Sequence, residues 1–169
     1  MTKHMFVLGI DPGLTTTGYG VIEASGGSMR VAAVGVIRTD RHASVADRLV
    51  ELHTDLGAVI AEYGPDEAAM EEVFVNRNLH TATSVARASG VALYTLASAG
   101  LRVREYSPTA VKMALTGYGA ADKAQVGKVV AMRLGLPAVP SPADAADALA
   151  VAMCHLQGIP MRQAVERAR

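Results

Sequence analysis

The chain has 169 residues, of which 50% are hydrophobic and 19% are charged, a balance typical of one domain that buries a proper core. Its single cysteine, Cys154, excludes an intrachain disulfide framework and favours a reducing compartment. No apolar run approaches the roughly 20 residues of a membrane-spanning helix, and the short run before Asp11 is too brief for a signal peptide. We therefore expect a soluble, cytoplasmic protein.

Formal charges cancel over the whole chain but not along it. Residues 1–71 carry five Lys or Arg against ten Asp or Glu, residues 72–133 carry eight against three, and the remaining 36 residues carry three of each. A neutral total of this kind can hide a basic face beside an acidic pocket, which loses its repulsion for phosphate once a metal ion fills it. Scattered, solvated charges would explain the same distribution equally well.

The first half of the chain predicts a strand meander followed by a helix. Three antiparallel strands are predicted, the last two joined by the hairpin turn Ser25-Gly26-Gly27-Ser28; the strands span 5–11, Gly18 to Glu23 and Met29 to Thr39. Apolar residues then recur at helical spacing from Val45 to Ile60, and Gly64-Pro65 ends that helix.

The second half of the chain alternates helices with strands. Strands are predicted around Glu71 and from Leu101 to Tyr106, and helices from about Ala82 to Ala97, from near Pro108, from about Asp122 to Leu134 and from Pro142 to about Gln157. Three meander strands followed by alternating helices and strands predict an α/β fold with a mixed five-stranded sheet flanked by helices. This order resembles that of the ribonuclease-H-like fold.

Four carboxylates lie at the ends of apolar segments. Asp11 closes F-V-L-G-I-D, Glu71 closes E-A-A-M-E, and the pair Asp144 and Asp147 begins an apolar helix. Removing an unpaired anion from water costs several kcal/mol, so such residues need a neutralising partner. Oxygen ligands favour Mg²⁺ or Mn²⁺ over zinc, and a site of this size has room for two ions, the arrangement that cuts or joins phosphodiesters.

The segment S-P-A-D-A-A-D predicts how the last helix begins. Ser141 suits the N-cap, Pro142 the first helical position and Asp144 the third, so that Asp144 and Asp147 project from one face of the first turns. Capping and the helix dipole would explain Asp144 without a metal ion. They leave Asp147 unexplained, because the helix continues as a largely apolar element.

Asp11 and Glu71 each have a second interpretation. The sequence D-P-G from Asp11 is strong turn chemistry, although the glycines and threonines that follow as far as Gly18 also offer amides and hydroxyls beside an anion site. Glu71 is followed by Glu72, and a strand directs their side chains to opposite faces. Only one of the two glutamates can enter the pocket, and periodicity does not decide which.

Several segments together resemble the RuvC family of Holliday-junction resolvases. They are L-G-I-D-P-G with T-G-Y-G-V-I, M-E-E-V-F, A-R-A-S-G-V and A-D-A-A-D-A-L-A-V-A, in the expected order and spacing from about Phe6 to His155. One segment alone would be weak, whereas four blocks in register are specific. The segment from Gly158 to Arg169 lies outside the resemblance.

The resemblance implies a homodimeric, metal-dependent endonuclease of homologous recombination and repair. Such an enzyme nicks a four-way DNA junction symmetrically, leaves 5′-phosphate and 3′-hydroxyl ends, uses two Mg²⁺ ions per active site with Mn²⁺ as a substitute, and works with a RuvA-RuvB branch-migration complex. We assign residues 1–158 to one nuclease domain and residues 159–169 to a basic tail. The stretch from Ala82 to Tyr94 is a candidate dimer contact, although core packing explains it equally well.

The resemblance also implies roles for individual residues. The family's catalytic, metal-binding acids fall on Asp11, Glu71, Asp144 and Asp147, which favours Glu71 over Glu72. Asp11 is expected to bridge the two ions, and Lys112 or Lys123 to stabilise charge on the phosphate. Positions matching DNA contacts, including an aromatic residue near the junction core, are Phe74, Arg77, Asn78, Lys112 and Lys123.

Two other functions share parts of this pattern. Phosphotransferases of the actin and sugar-kinase type also carry a hydrophobic-Asp-x-Gly-x-Thr motif, but they need two such domains around a nucleotide cleft. A junction-binding protein without cleavage activity would be expected to have lost one of the acids, and all are present here. His155, two helical turns after Asp147, is interpreted as a structural residue and not a ligand.

Overall fold

The computed structural model describes residues 4–73 and 79–167, which form a five-stranded sheet with helices on both faces. The strands are β1 (Met5–Asp11), β2 (Thr16–Ser25), β3 (Ser28–Arg38), β4 (Glu67–Glu71) and β5 (Arg102–Tyr106). The helices are α1 (Val45–Tyr63), α2 (Leu79–Ser98), α3 (Pro108–Thr116), α4 (Lys123–Arg133) and α5 (Ala143–Arg167). None of these described helices is long and apolar enough to cross a membrane.

The sheet is mixed, with strand order β3-β2-β1-β4-β5, and it confirms the predicted α/β fold with a five-stranded sheet. The first three strands pair antiparallel, whereas β4 pairs parallel with both β1 and β5. In the β2–β3 hairpin Ser25 pairs with Ser28, and Gly26 (φ 57°) and Gly27 (φ 85°) take the positive φ that a two-residue turn of this kind needs. Parallel pairing brings the carboxyl ends of β1 and β4 to one end of the sheet.

Strand alternation separates two apolar clusters, one on each face of the sheet. On one face, Val7 and Ala69 pack against the helices α3, α4 and α5. On the other face, Leu8, Ile10 and Met70 pack against α1 and α2. Successive side chains of one strand thus enter different cores, and the alternation tells which face each strand-end carboxylate belongs to.

Side-chain caps fix where several helices begin. Ser44 and Ser107 cap α1 and α3 by accepting a backbone N–H of the first turn. Helix α4 begins with a capping box, in which Asp122 and Gln125 each accept the backbone N–H of the other. This box determines the position of Lys123, which is the first residue of α4.

Helix α5 lies very close to the sheet because glycines replace side chains beneath it. A Cβ atom placed on Gly9 would lie 2.1 Å from the carbonyl oxygen of Ala148, and one on Gly18 would lie 1.9 Å from the carbonyl oxygen of Asp144. Non-bonded atoms do not approach so closely, so any larger residue would push the helix away. The two glycines therefore set the distance between the start of α5 and the sheet.

Both ends of α5 differ from the prediction. The helix begins at Ala143, one residue after Pro142, and continues through Gly158 and Pro160 to Arg167, beyond the predicted end at about Gln157. The residues predicted as a tail are therefore helical as far as Arg167.

Contacts of Arg162 explain why α5 continues. Its guanidinium donates hydrogen bonds to Tyr106 Oη at 3.1 Å and to the carbonyl oxygen of His155 at 3.0 Å. These contacts hold the last turns of α5 against β5, and tertiary structure overrides the local helix-ending residues.

Helix α2 contains the stretch that we considered as a dimer contact. Ala88 and Ala92 are buried in the core beneath α2, whereas Tyr94 is 67% exposed. Core packing accounts for the buried face of this stretch, and its exposed face stays a candidate for contact with another subunit.

Candidate active site

Asp11 and Glu71 lie side by side at one end of the sheet. Asp11 ends β1, Glu71 ends β4, and the residues immediately before them are partners in the parallel β1–β4 register. Alternation places both side chains on the face that α5 covers. Glu72 is exposed, and its side chain belongs to the opposite face. The strand geometry therefore directs Glu71, and not Glu72, towards α5.

Asp144 and Asp147 reach the same end of the sheet from the first turns of α5. Gly18 is the partner of Asp11 in the β1–β2 ladder, and the backbone of Asp144 lies directly against that glycine. Asp147 follows one helical turn later, with a side chain that is 20% exposed. The fold thus gathers the acids that the sequence predicted as a group.

Repulsion within this group is evident in the pKa of Asp11. The pKa of Asp11 is raised from 3.8 to about 8, first by burial and then by the negative charges of Glu71, Asp147 and Asp144. Lys123 lowers the pKa of Asp11, but by less than the raising effects. Without a further cation, the site therefore holds a proton on a carboxyl group at neutral pH.

Two lysines bring positive charge to the site. The Nζ atom of Lys123 donates a hydrogen bond to Asp147 Oδ2 at 2.6 Å, and this bond raises the pKa of Lys123. Lys112, on α3, lines a pocket of about 110 Å³ together with Lys123, Glu71 and Asp147. Burial and then Asp147 raise the pKa of Glu71, and the two lysines oppose that rise. An anion in this pocket would meet both ammonium groups.

The donor chemistry of the site fits a divalent cation. Every predicted ligand is a carboxylate, the group that Mg²⁺ and Mn²⁺ prefer. Burial and the neighbouring carboxylates together outweigh the effect of Lys123 on the pKa of Asp11. Within residues 4–73 and 79–167, no three Asp, Glu, His or Cys side chains stand close enough together to hold a metal ion. Binding of an ion therefore requires the carboxylates to draw closer, which their mutual repulsion opposes until the ion is present.

The predicted DNA contacts divide into two groups. Lys112 and Lys123 lie at the pocket beside the acids. Phe74, Arg77 and Asn78 lie outside the described residues. The predicted roles of all five stay predictions.

His155 forms a separate, structural group, as interpreted from the sequence. It is fully buried, and its ring nitrogens lie 2.7 Å from Glu67 Oε2 and 2.9 Å from Tyr106 Oη. Burial lowers the pKa of His155, although Glu67 opposes the shift. A neutral imidazole satisfies both contacts if Nε2 donates to Glu67 and Nδ1 accepts from Tyr106.

Two features near the acids were not predicted from the sequence. The close approach at Gly9 and Gly18 had a readable signal, since both glycines lie in predicted strands, where a glycine often marks a close backbone approach. Contacts of Arg48 with the hydroxyls of Thr15 and Thr39 had none, because partners 33 and 9 residues away follow no local pattern.

Comparison with known proteins extends to nearly the whole chain. The family model described as crossover junction endodeoxyribonuclease RuvC matches residues 7–155. The protein of that name from Chloroflexus aggregans is 50% identical over 159 residues, covering 94% of this chain and 97% of the relative. The one from Heliobacterium modesticaldum is 51% identical over 150 residues, covering 89% and 93%.

A solved structure agrees with the family match. T. thermophilus RuvC in complex with a Holliday junction substrate superposes with a TM-score of 0.87 at 36% identity, over 93% of this chain and 96% of that one. The sequence match and the shared architecture cover the strands and the helix that carry the acidic site. The chain belongs to the RuvC family of crossover junction endodeoxyribonucleases.

Proposed function

We propose that this protein resolves four-way DNA junctions in homologous recombination and repair by nicking two strands symmetrically. Family membership supports an endonuclease, and the junction bound to T. thermophilus RuvC supports this substrate. The observation that carries the proposal is the gathering of Asp11, Glu71, Asp144 and Asp147 at one end of the sheet, with the pKa of Asp11 raised to about 8. Such a cluster is incomplete without cations, as a metal-dependent nuclease requires.

The four acids have distinct positions from which to hold metal ions. Asp11 is the most central, because the other three carboxylates all raise its pKa. In this proposal Asp11 would serve both metal ions, and Glu71, Asp147 and Asp144 would supply the other carboxylate ligands. Two Mg²⁺ ions, for which Mn²⁺ substitutes, would supply positive charge on both sides of the reacting phosphate and an activated water at neutral pH.

The lysines act on the phosphate in this proposal. Lys123 is paired with Asp147, and its side chain is 76% exposed, so an anion can reach its ammonium group from solvent. Lys112 faces the same pocket. Positive charge at these positions would stabilise the negative charge that develops on the phosphate during in-line attack. The proposed products are 5′-phosphate and 3′-hydroxyl ends, which a ligase can seal.

Symmetric nicking has a requirement beyond one active site. Two identical sites related by a twofold axis cut two strands at equivalent positions, so we propose a homodimer. We also propose that the protein acts in the cytoplasm on chromosomal DNA, with a RuvA-RuvB branch-migration complex as its partner.

The test is a nicking assay on synthetic DNA. The purified protein is offered a four-way junction and a linear duplex with the same arm sequences, with and without Mg²⁺ or Mn²⁺, and the cuts are mapped at nucleotide resolution. We expect paired, symmetric cuts in the junction only when metal is present, and products that DNA ligase rejoins. Equal cutting of the linear duplex, or cutting that persists in EDTA, would contradict the proposal.

A further inference from the structure

A second polar cluster lies at the same end of the sheet as Asp11, on the opposite face. Arg48, in the first turns of α1, donates through Nη2 to Thr15 Oγ1 and through Nε to Thr39 Oγ1, both at 2.9 Å. Thr15 directly precedes β2 and Thr39 directly follows β3. Because β1 runs antiparallel to β2, this is the end of the sheet at which Asp11 lies. The turn after Asp11 therefore separates the acids from this guanidinium.

The guanidinium of Arg48 is held by two threonine hydroxyls and has no acidic partner among the described residues. No carboxylate in residues 4–73 and 79–167 lies within ion-pair distance of its guanidinium. The acids close to it in sequence instead accept hydrogen bonds from other groups. Asp40 and Glu51 each accept a backbone N–H, and Asp47 accepts the hydroxyl of Ser44. The positive charge of Arg48 is therefore not neutralised by a described carboxylate, and its half-exposed side chain can be reached by an anion from solvent.

The hydroxyl groups beside Arg48 have different amounts of free hydrogen-bonding capacity. Thr39 is buried, and its hydroxyl donates to the carbonyl oxygen of Leu14 at 2.6 Å while it accepts from Arg48. Thr15 is half-buried, and its hydroxyl accepts from Arg48 but donates to no group in the described part of the chain. Its proton, and the Nη1 donors of Arg48, are therefore available to an external acceptor.

We propose that Arg48 and Thr15 bind a backbone phosphate of the DNA strand that the acidic site cuts, on the other side of the sheet end from the scissile phosphate. This inference rests on the proposed function, because it takes the ligand of the acidic site to be DNA. Phosphate is the anion favoured here, since arginine and threonine side chains are usual donors to DNA phosphate oxygens. Thr39 is a positioning residue that holds the guanidinium in place.

The first test measures how junction binding depends on salt. Binding of a four-way junction, without divalent metal so that the DNA stays intact, is followed by fluorescence anisotropy over a series of salt concentrations. We expect Arg48→Gln to bind about tenfold more weakly at low salt. We also expect the slope of log Kd against log salt concentration to become shallower by about 0.9, the value of one phosphate contact.

Arg30→Gln is the matched control, because Arg30 lies in the hairpin at the opposite end of the sheet and pairs with Glu23. It removes the same charge, and its salt slope is expected to equal that of the wild type. A slope for Arg48→Gln that also equals the wild-type slope would overturn the proposal.

Kinetics separate a phosphate contact from a structural effect on the turn after Asp11. A phosphate contact raises KM in Arg48→Gln and leaves kcat at saturating junction within about threefold of the wild type. A fall in kcat with KM and salt slope unchanged would mean that Arg48 only orders the turn, which would overturn the proposal.

Two threonine variants keep the proposal testable if Arg48→Gln does not fold. Thr15→Val retains every charge and the side-chain shape, and we expect junction binding about threefold weaker with an unchanged salt slope. Thr39→Val loosens the guanidinium and keeps its charge, so the slope is again unchanged. Wild-type affinity in Thr15→Val would contradict the contact. Absence of cutting by the wild type would instead contradict the proposed function, and the binding data would still stand.

Discussion

Helix α5 carries two groups of polar side chains that differ in how completely their charges are paired. Near its start, Asp147 and Asp144 join Asp11 and Glu71 in a cluster whose repulsion and burial raise the pKa of Asp11 to about 8. Two turns after Asp147, His155 has a partner at both ring nitrogens. In the described ranges, every buried side-chain nitrogen or oxygen has a hydrogen-bond partner.

The difference between the two groups indicates what each is for. The His155 group is complete within the chain, so it stabilises the native state and leaves no group free to react. The acidic cluster has one ion pair, between Lys123 and Asp147, and remains short of positive charge. A cluster that destabilises the free protein and is completed by an external cation is typical of a functional site.

Asp11→Asn should have the largest effect on cleavage. It removes the most central ligand charge, and we expect the single-turnover nicking rate to fall by at least about a thousandfold. Junction affinity should stay within about threefold of the wild type, because no DNA-facing positive charge is lost. Asp55→Asn, an exposed acid on α1, is the control and should cut normally. Lost binding with retained nicking would contradict the assignment.

His155→Leu should affect stability and not chemistry. It leaves Glu67 and Tyr106 without their buried partner, and we expect the free energy of unfolding in urea to fall by about 3 kcal/mol. The nicking rate of the folded variant should equal that of the wild type. If nicking is lost while the free energy of unfolding is unchanged, the His155 group takes part in the reaction and the comparison between the two groups fails.

Lys123→Ala should slow cleavage more than it weakens binding. We expect the nicking rate to fall by about a hundredfold, because one ammonium group at the pocket is lost in the transition state. Lys128→Ala is the matched control, since Lys128 is an exposed lysine of the same helix. Equal losses in rate and in junction affinity would make Lys123 a phosphate anchor only.

The pH dependence of stability distinguishes the two groups in the metal-free protein. Asp11 keeps a proton in the native state that the unfolded chain releases above its ordinary pKa of 3.8, so stability falls as the pH rises towards about 8. His155 has the opposite effect. Burial lowers its pKa from 6.5, so its contribution to the free energy of unfolding is complete above pH 6.5 and is lost at lower pH.

Between about pH 6.5 and pH 8, only the acidic cluster should therefore impose a slope. We expect a loss of about 2 kcal/mol across this interval in urea unfolding at constant ionic strength, and a flat profile for Asp11→Asn. A wild-type profile that is already flat would show that Asp11 is ionised in the native protein and that the cluster is not short of positive charge.

Local patterns predicted most of the fold and the identity of the acids. These patterns depend only on residues that are close together in the chain. Alternation predicted the strands, the Gly26-Gly27 turn predicted the hairpin, and helical periodicity predicted the helices. The predicted end of α5, at about Gln157, was wrong, because Arg162 contacts Tyr106 across the fold and local patterns do not reveal such a contact.

The arrangement of the site was less predictable than its composition. Strand and helix ends predicted that the acids gather, but not that Lys123 would bond Asp147 from another helix, since the position of α4 relative to α5 depends on packing. The same holds for Arg48, whose partners come from two separate loops. Contacts of this kind depend on tertiary structure and leave no periodic signal in the sequence.

The central claim, that the acidic cluster binds a divalent cation, is tested most directly by thermal unfolding at about pH 8 with increasing Mg²⁺ or Mn²⁺ and no DNA. An ion that binds only the native state must raise Tm as its concentration increases. We predict such a rise for the wild type and for Asp55→Asn, and a much smaller one for Asp11→Asn and Asp147→Asn. A Tm that rises equally in all four proteins, or in none of them, would contradict the claim.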